Sequence, residues 1–206
     1  AGLTKIGAIH RGFSTYGRSK YRNEPQWEIP IELKRRLPNL PIIIDPSHIT
    51  GKRDMIEPIS QRALDMDFNG LMIESHVTPD KALSDASQQI TPARMVEIKK
   101  GLKLRTATTT DHLILDQLET LRTEIDGVDS EIIEVLARRM GIACRIGECK
   151  KANNITIVQK ARWNEIFGDR MKRGEEKGLT PEFMVELYNS IHKESIRQQS
   201  KVMNEE

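Results

Sequence analysis

Three clusters of polar side chains in the first half of the chain contain groups that could do chemistry. Each directly follows a short apolar run, and the three are His10-Arg11-Gly12, Asp45-Pro46-Ser47-His48 and Glu74-Ser75-His76. His48 and Glu74, with Asp85 in the loop that follows, offer one imidazole and two carboxylates. This donor set suits a divalent metal such as Mn²⁺, Fe²⁺ or Zn²⁺, and three protein ligands leave coordination positions open. The sequence therefore predicts a catalytic metal site, with ordinary capping and loop residues as the alternative.

Arg11 lies next to Gly12 in the first of these clusters. Its planar guanidinium could donate two parallel hydrogen bonds to a phosphate or a carboxylate. A surface ion pair explains the same residue equally well from spacing alone, so both interpretations stay open.

A second set of candidate groups is cationic and lies in the second half of the chain. Arg139 and Lys150 are eleven residues apart, which on a helix puts them on one face at a separation of about 16 Å. Arg122 precedes Arg139 by seventeen residues, about 25 Å away and roughly 100° round the helix. One small ligand cannot touch Arg122 and Lys150 of the same straight helix. It could touch both if Arg122 came from the partner in an antiparallel dimer, which predicts a shared anion-binding site.

The elements that must position the first set are short strands alternating with helices. Apolar runs at 6–9, 41–44 and 70–73 predict three strands, and helical patterns occupy roughly 29–37 and 55–67. None of the runs alternates polar with apolar residues, so both faces are expected to be buried in a parallel sheet. In such folds the active site lies at the carboxyl ends of the strands, where all three polar clusters occur.

The second half has the periodicity of helices instead. Apolar residues recur at three- and four-residue steps from Leu113, which predicts a helix capped by Asp111 that runs to about Ala152. A second helix fits about 157–173, ending at Gly174, and Thr180-Pro181 is typical of the start of a third. A plain helical hairpin or coiled-coil dimerisation module is the alternative, but it leaves Arg139 and Lys150 near the apolar seam unexplained.

Composition divides the chain and excludes several classes of protein. Eight of the nine prolines lie at or before Pro92, and the polar run Arg105–Asp111 separates the two halves. No apolar run approaches the roughly 20 residues of a membrane-spanning helix, and the first residues lack the pattern of a signal peptide. The net charge of +2 argues against a nucleic-acid binder. Two cysteines, Cys144 and Cys149, are too few for a disulfide scaffold, so we expect a cytoplasmic protein with free thiols.

The first half resembles the last three strands of the 3-deoxy-D-arabino-heptulosonate-7-phosphate (DAHP) synthase family. The resemblance rests on four motifs in order, which are Ile9-His10-Arg11-Gly12, Ile44-Asp45-Pro46-Ser47-His48, Leu71-Met72-Ile73-Glu74-Ser75-His76 and Leu83-Ser84-Asp85. It implies part of a (β/α)₈ barrel that condenses phosphoenolpyruvate with erythrose 4-phosphate at a divalent metal, Mn²⁺ or similar. It also implies that His48, Glu74 and Asp85 are metal ligands and that Arg11 holds the phosphate of phosphoenolpyruvate.

The match is limited in extent. A barrel of this kind takes about 250 residues, and the family's fourth metal ligand, a cysteine on an early strand, has no counterpart here. We therefore expect residues 1–105 to be an incomplete barrel, whose missing strands were cleaved off, lie outside these 206 residues or belong to a second chain, followed by a linker at 106–112.

Residues 113–206 resemble the all-α chorismate mutase family. The motifs that carry the resemblance are Leu118–Asp126, Leu136-Ala137-Arg138-Arg139, Ile146-Gly147-Glu148-Cys149-Lys150, Ala161-Arg162 and Ser195-Ile196-Arg197-Gln198-Gln199. The resemblance implies a three-helix domain that dimerises and converts chorismate to prephenate without a cofactor. Arg139 and Arg122 of the partner would clamp the substrate carboxylates, and Lys150 and Gln199 would donate hydrogen bonds to the ether oxygen. Arg162 and Ser195 would line the same pocket.

Two positions depart from that family. Trp163 stands where many members have a glutamate that holds the substrate hydroxyl, and Gln159 replaces a common aspartate. The sequence as a whole is thus read as α/β plus all-α, a bifunctional enzyme of aromatic amino-acid biosynthesis. The alternative is a mutase-like module that mainly senses prephenate or chorismate and dimerises.

Overall fold

The chain forms two compact units, residues 1–110 and 111–206. The computed structural model describes residues 2–17 and 19–204, apart from the side chains of residues 160–162. The boundary falls within the segment 106–112, for which the linker assignment stays a prediction. Among the described residues, no helix is both long and apolar enough to cross a bilayer.

The first unit is built on a small parallel sheet. Its strands are β1 (Ala8–His10), β2 (Ile42–Ile44) and β3 (Gly70–Leu71), side by side in that order. Helix α1 (Glu28–Arg36) connects β1 to β2, and α2 (Pro46–Thr50) and α3 (Ile56–Asp65) connect β2 to β3. The strands are shorter than the predicted runs, because β1 and β3 both pair with β2, whose ladder is three residues long.

One face of the sheet holds the core of this unit. Ile42 and Ile44 are fully buried and pack with Trp27, Ile59 and Phe68. On the opposite face Ile9, which pairs with Ile43, is 51% exposed. The prediction that both faces are buried is therefore wrong at Ile9, because the helices of the described chain cover one side only.

Helix α4 (Pro92–Gly101) was not predicted. The Thr91 hydroxyl caps it by accepting a hydrogen bond from the Arg94 amide at 3.1 Å, and Pro92 occupies its first turn. Its Ile98 packs with Ile56 and Ile90 in a second, smaller core. The Thr-Pro pair is the same start signal that the sequence offers at Thr180-Pro181, so this helix was available to sequence reasoning.

The second unit consists of three helices, α5 (His112–Ala152), α6 (Lys160–Glu176) and α7 (Pro181–Asn204). Asp111 caps α5 as predicted, since its carboxylate accepts from the amides of Leu113 and Ile114. Helix α7 packs on the C-terminal part of α5, where Gly147 allows close approach: a Cβ there would lie 3.1 Å from the Gln199 Cα.

Helix α6 lies about three residues later than predicted, and Gly174 does not end it. Gly174 is buried against Met184 of α7, and an added Cβ would lie 2.5 Å from the Met184 Cε. The absence of a side chain at Gly174 therefore allows α6 and α7 to pack closely. The helix ends before Gly178, which has a φ of +78° that favours glycine.

Candidate functional site

The three predicted metal ligands of the first unit lie together. His48 is in α2, Glu74 follows β3, and Asp85 precedes a short 3₁₀ turn. One ligand atom from each lies within 4.8 Å of the others. The His48 Nε2 is 3.6 Å from Glu74 Oε1 and 3.9 Å from Asp85 Oδ2. The carboxyl ends of two adjacent strands thus bring together groups that are 26 and 37 residues from His48.

Asp45 sets the orientation of the His48 imidazole. It is the N-cap of α2, where its Oδ1 accepts from the His48 amide at 3.0 Å. Its Oδ2 lies 2.7 Å from the His48 Nδ1, so the other ring nitrogen faces the two carboxylates. Proteins commonly fix a metal-binding imidazole through a carboxylate on the second ring nitrogen.

Two further residues hold the carboxylates, and sequence reasoning missed both. Gln88 is fully buried and donates from Nε2 to Glu74 Oε2 at 2.7 Å. Arg22 donates to Gln88 Oε1 at 2.6 Å and to Asp85 Oδ1 at 2.7 Å. The outer oxygens are therefore engaged, while Glu74 Oε1 and Asp85 Oδ2 are the oxygens nearest His48 Nε2.

A pair of backbone hydrogen bonds holds the chain close to Arg22. Phe13 and Glu24 donate to one another's carbonyl oxygens at 2.8 Å, and Glu24 lies two residues after Arg22. Gly12 has a φ of +75°, and an added Cβ would lie 2.6 Å from the Asn23 carbonyl oxygen. No local pattern marks Arg22, because its partners are 63 and 66 residues away.

The residues present fit a divalent cation of intermediate hardness. One imidazole and two carboxylates converge, and each has a partner that aims it inward. A bound cation would supply Lewis-acid polarisation of a substrate oxygen. Arg11 lies at the margin of this group, 55% exposed, with Nε 3.5 Å from Asp45 Oδ2. It forms the ion pair that was one of the two interpretations, and its phosphate-binding role stays a prediction.

The second unit contains a cavity of about 390 Å³ between its helices. Apolar side chains of α5 and α6 form part of the wall, and the polar and aromatic lining comprises Arg139, Lys150, Gln159, Trp163, His192, Ser195 and Gln199. No carboxylate is among the described side chains that line it. The cavity therefore favours an anionic ligand.

Four of the six predicted mutase residues meet in this cavity. Arg139 donates to Ser195 Oγ at 2.5 Å. Lys150 is only 9% exposed, and its Nζ donates to the Ile157 carbonyl at 2.6 Å and to Gln199 Oε1 at 3.2 Å. An ammonium group has three N–H donors, so one remains for a ligand.

The charge of Arg139 is incompletely compensated within the described chain. Burial lowers the pKa of its guanidinium; Tyr188 opposes this shift and the neighbouring cation Arg170 adds to it. A guanidinium stays protonated in proteins. A partly desolvated cation without a carboxylate partner is a favourable place for a substrate carboxylate.

The other two predicted residues do not join the group. Arg122 does not line the cavity; its side chain is 69% exposed and lies 3.5 Å from Glu119 Oε2. The side chain of Arg162 lies outside the described residues, although its backbone belongs to α6.

Trp163 lines the cavity together with a residue that the sequence did not single out. Its ring stacks on the imidazole of His192, with centroids 3.7 Å apart and planes at 21°. Burial, and then the charge of Arg139, lower the pKa of His192. Only the packing of α6 against α7 reveals this pair, which is 29 residues apart in sequence.

Comparison with known proteins relates each unit to a family. Residues 1–110 match the model of the DAHP synthetase I family, and residues 121–200 match that of chorismate mutase type II. Over 103 residues the chain is 34% identical to a phospho-2-dehydro-3-deoxyheptonate aldolase of Thermotoga maritima, which is 50% of this chain and 30% of that protein.

The second unit is similar to several different proteins. A 4-amino-4-deoxychorismate mutase of Streptomyces venezuelae is 28% identical over 91 residues, 44% of this chain and 88% of that protein. A bifunctional chorismate mutase/prephenate dehydratase of Aquifex aeolicus is 38% identical over 80 residues, 37% of this chain and 22% of that protein. The chain thus spans less than a third of the Thermotoga and Aquifex relatives.

Proposed function

The chain belongs to the DAHP synthetase I family through residues 1–110 and carries a type II chorismate mutase domain after them, and from this premise we propose that the second unit converts chorismate to prephenate. The observation that carries the proposal is the cavity in which buried Lys150, Ser195 and Gln199 meet Arg139 with no carboxylate among the described lining residues. Chorismate is a dianion with an ether oxygen that gains negative charge as its bond breaks.

The reaction is an intramolecular rearrangement in which one C–O bond breaks and one C–C bond forms. It transfers no proton to or from the protein, so it needs no nucleophile, general base or cofactor. The cavity has to hold the reactive conformer and stabilise the developing charge. Arg139 takes one carboxylate, and the free N–H of Lys150 is available for the ether oxygen.

Gln199 contributes the second donor to that oxygen. Its Oε1 accepts from Lys150 at 3.2 Å, which orients the amide so that the Nε2 side is the donor side. Nε2 donates to the Ser195 carbonyl at 3.3 Å and has a second hydrogen. Side chains whose positions are set by such bonds need little reorganisation during the reaction.

The second carboxylate is taken by Arg122 of a second copy of the chain. Helix α5 exposes large apolar residues around Arg122, including Leu121, Ile125 (60% exposed) and Val128. An exposed apolar stripe on a helix is typical of a helix that buries this surface in a dimer. We therefore propose a homodimer through α5, with each cavity completed by the partner's helix.

Complementation between two inactive variants tests both the activity and the shared site. Arg122→Ala and Arg139→Ala are each expected to lower kcat/KM for chorismate about 10- to 150-fold, the loss of a charged hydrogen bond. Mixed after unfolding and refolding, half of the dimers contain both variants and one intact site each. About a quarter of wild-type activity should then return.

Two outcomes would contradict the proposal. Wild-type turnover no faster than the uncatalysed reaction excludes the mutase activity. If Arg122→Ala and Arg139→Ala each lose activity as expected but their mixture recovers none, the shared site is excluded. The mutase activity itself is not contradicted by that result.

For the first unit we propose a divalent metal, Mn²⁺ or a similar ion, held by His48, Glu74 and Asp85. Phosphoenolpyruvate and erythrose 4-phosphate are the proposed substrates, with Arg11 at the phosphate of phosphoenolpyruvate. The barrel type has eight strands and the described part of this unit has three. DAHP synthase activity is therefore proposed for a complete barrel, with the other strands supplied from outside residues 1–110. We also propose a cytoplasmic location, to which the free Cys144 and Cys149 are suited.

A sensing role is the second candidate function, and the Trp163–His192 stack favours it. Trp163 stands where the resemblance implies a glutamate, and its stack with His192 forms a wall of the cavity. Calorimetry distinguishes the two functions. Tight prephenate binding with turnover near the uncatalysed rate supports a sensor, and substantial turnover supports the mutase.

A further inference from the structure

His192 and Trp163 form one rigid aromatic wall of the cavity. The centroid distance of 3.7 Å and the interplanar angle of 21° describe a stacked pair, and Trp163 also packs on Phe167 with centroids 5.3 Å apart. Stacking fixes the plane of the imidazole, so its two nitrogens lie at the edge of the stack. The side chain of His192 is half-buried and lines the cavity.

The nitrogens of His192 have no partner within the part of the chain that the structure describes. No hydrogen bond joins either ring nitrogen to another described group. The charged group that bears on His192 is Arg139 of α5, and the residue stacked on it from α6 is the uncharged Trp163. Burial and that cation lower its pKa, so the imidazole is neutral near pH 7. A neutral imidazole has one N–H donor and one acceptor nitrogen.

The other polar groups of the cavity are donors or are already engaged as acceptors. Arg139 and Lys150 can only donate. Ser195 Oγ accepts from Arg139 and donates to the Ile191 carbonyl, and Gln199 Oε1 accepts from Lys150. Gln159 also offers an amide oxygen, but its side chain is exposed and makes no capping hydrogen bond. His192 is therefore the acceptor that packing holds in place.

We infer that His192 accepts a hydrogen bond from the ring hydroxyl of the bound substrate, with Trp163 as the positioning residue that fixes the imidazole. The inference rests on the proposed mutase function and deepens it. It assigns to the cavity a dicarboxylate that also has a hydroxyl to donate, with its carboxylates at the cations and its hydroxyl at the aromatic wall.

The test compares two variants of the full chain on two substrates. His192→Phe preserves the stack and removes both nitrogens, and His192→Asn restores an acceptor. The substrates are chorismate and chorismate with its ring hydroxyl methylated, which has no hydroxyl proton. We expect His192→Phe to lower kcat/KM about 10- to 100-fold for chorismate and no more than about twofold for the methyl ether, because an unpaired hydroxyl is costly and a methyl ether has none to satisfy. His192→Asn should recover part of the loss.

Circular dichroism must show that each variant is folded, and Lys193→Ala, at the next residue of α7, which is exposed and lies outside the cavity lining, should behave like wild type on both substrates. Equal losses for the two substrates, or none, would overturn the inference by showing that His192 acts only through packing or not at all. A hydroxyl-dependent loss in Gln159→Ala instead would assign the acceptor to Gln159.

Binding of prephenate, which also has a ring hydroxyl, separates this inference from the proposed activity. Calorimetry should show Kd raised about 10- to 100-fold by His192→Phe and partly restored by His192→Asn. An inactive wild-type protein with this order of affinities refutes the mutase function and supports His192 as the hydroxyl acceptor. An unchanged Kd in His192→Phe refutes the assignment whatever the turnover.

Discussion

Replacing Lys150 by alanine isolates the group expected to stabilise the breaking bond. The ammonium is almost completely buried in the cavity wall and is held at two points, by the Ile157 carbonyl and by Gln199 Oε1. Its remaining N–H is aligned before substrate arrives. Removing one such preorganised donor costs about 3–4 kcal/mol of transition-state stabilisation, so kcat should fall about 10²- to 10³-fold.

The same substitution should affect folding much less than catalysis. It removes two hydrogen bonds, each with a net value of about 0.5–1.5 kcal/mol, and leaves two carbonyl oxygens that water in the cavity can reach. We therefore expect the free energy of unfolding to fall by about 1–3 kcal/mol. A change of this size leaves the chain folded at room temperature, so a loss of activity will not reflect unfolded protein.

The assay follows the loss of chorismate absorbance with the full chain, and urea unfolding measures stability in parallel. Lys151→Ala is the matched control, since Lys151 is the next residue of α5 but is exposed and lies outside the cavity lining. Its kcat should stay within about twofold of wild type, as is usual for an exposed substitution. If Lys150→Ala keeps a kcat within threefold of wild type while folded, the assignment of Lys150 to the ether oxygen is wrong.

Three further predictions concern the metal group, the helix packing and a buried histidine. Glu74→Gln should weaken Mn²⁺ binding by calorimetry at least tenfold, as loss of an anionic ligand does, whereas exposed Asp54→Asn should not; equal affinities would place the metal elsewhere. Gly147→Ala should lower the urea midpoint, because its Cβ would crowd α7, whereas Gly168→Ala, with open space around its Cβ, should gain about 0.5–1 kcal/mol; the reverse order would refute the close-approach argument. Burial lowers the pKa of His10 below its ordinary value, so the unfolded chain takes up a proton at a higher pH than the folded chain. The contribution of His10 to the free energy of unfolding is therefore fully present above about pH 6.5 and is lost as the pH drops through the folded pKa. His10→Phe should remove this part of the pH dependence, measured by urea unfolding at several pH values.

The parts of the fold that local chemistry decides were readable from the sequence. Asp111 begins α5 because its carboxylate reaches amides two and three residues on. His48 and Glu74 could be grouped because each lies within four residues of the carboxyl end of a strand in one parallel sheet. Helix geometry alone also indicated that Arg122 and Lys150 of one chain could not share a small ligand.

The start of α4 and the end of α6 were not predicted correctly. A local signal existed for the first, and two equivalent signals existed for the second. Thr91-Pro92 starts α4 by the same chemistry as Thr180-Pro181 and could have been used. Gly174 and Gly178 both suggest the end of α6, and sequence cannot rank them. The packing of α7 separates them. Gly174 is a glycine because Met184 of α7 lies against it, whereas Gly178 adopts the positive φ that follows the end of α6.

The sequence by itself determined most of the helices, the order of the strands and the residue types of the candidate metal ligands, because these depend on neighbours within about one helical turn or one strand. Only the tertiary structure decided which groups hold the candidate metal ligands in place. Arg22 and Gln88 reach Asp85 and Glu74 through a loop and a buried amide, and His192 meets Trp163 across two helices. Such contacts join residues far apart in the chain, so they follow from how elements pack and not from any local spacing.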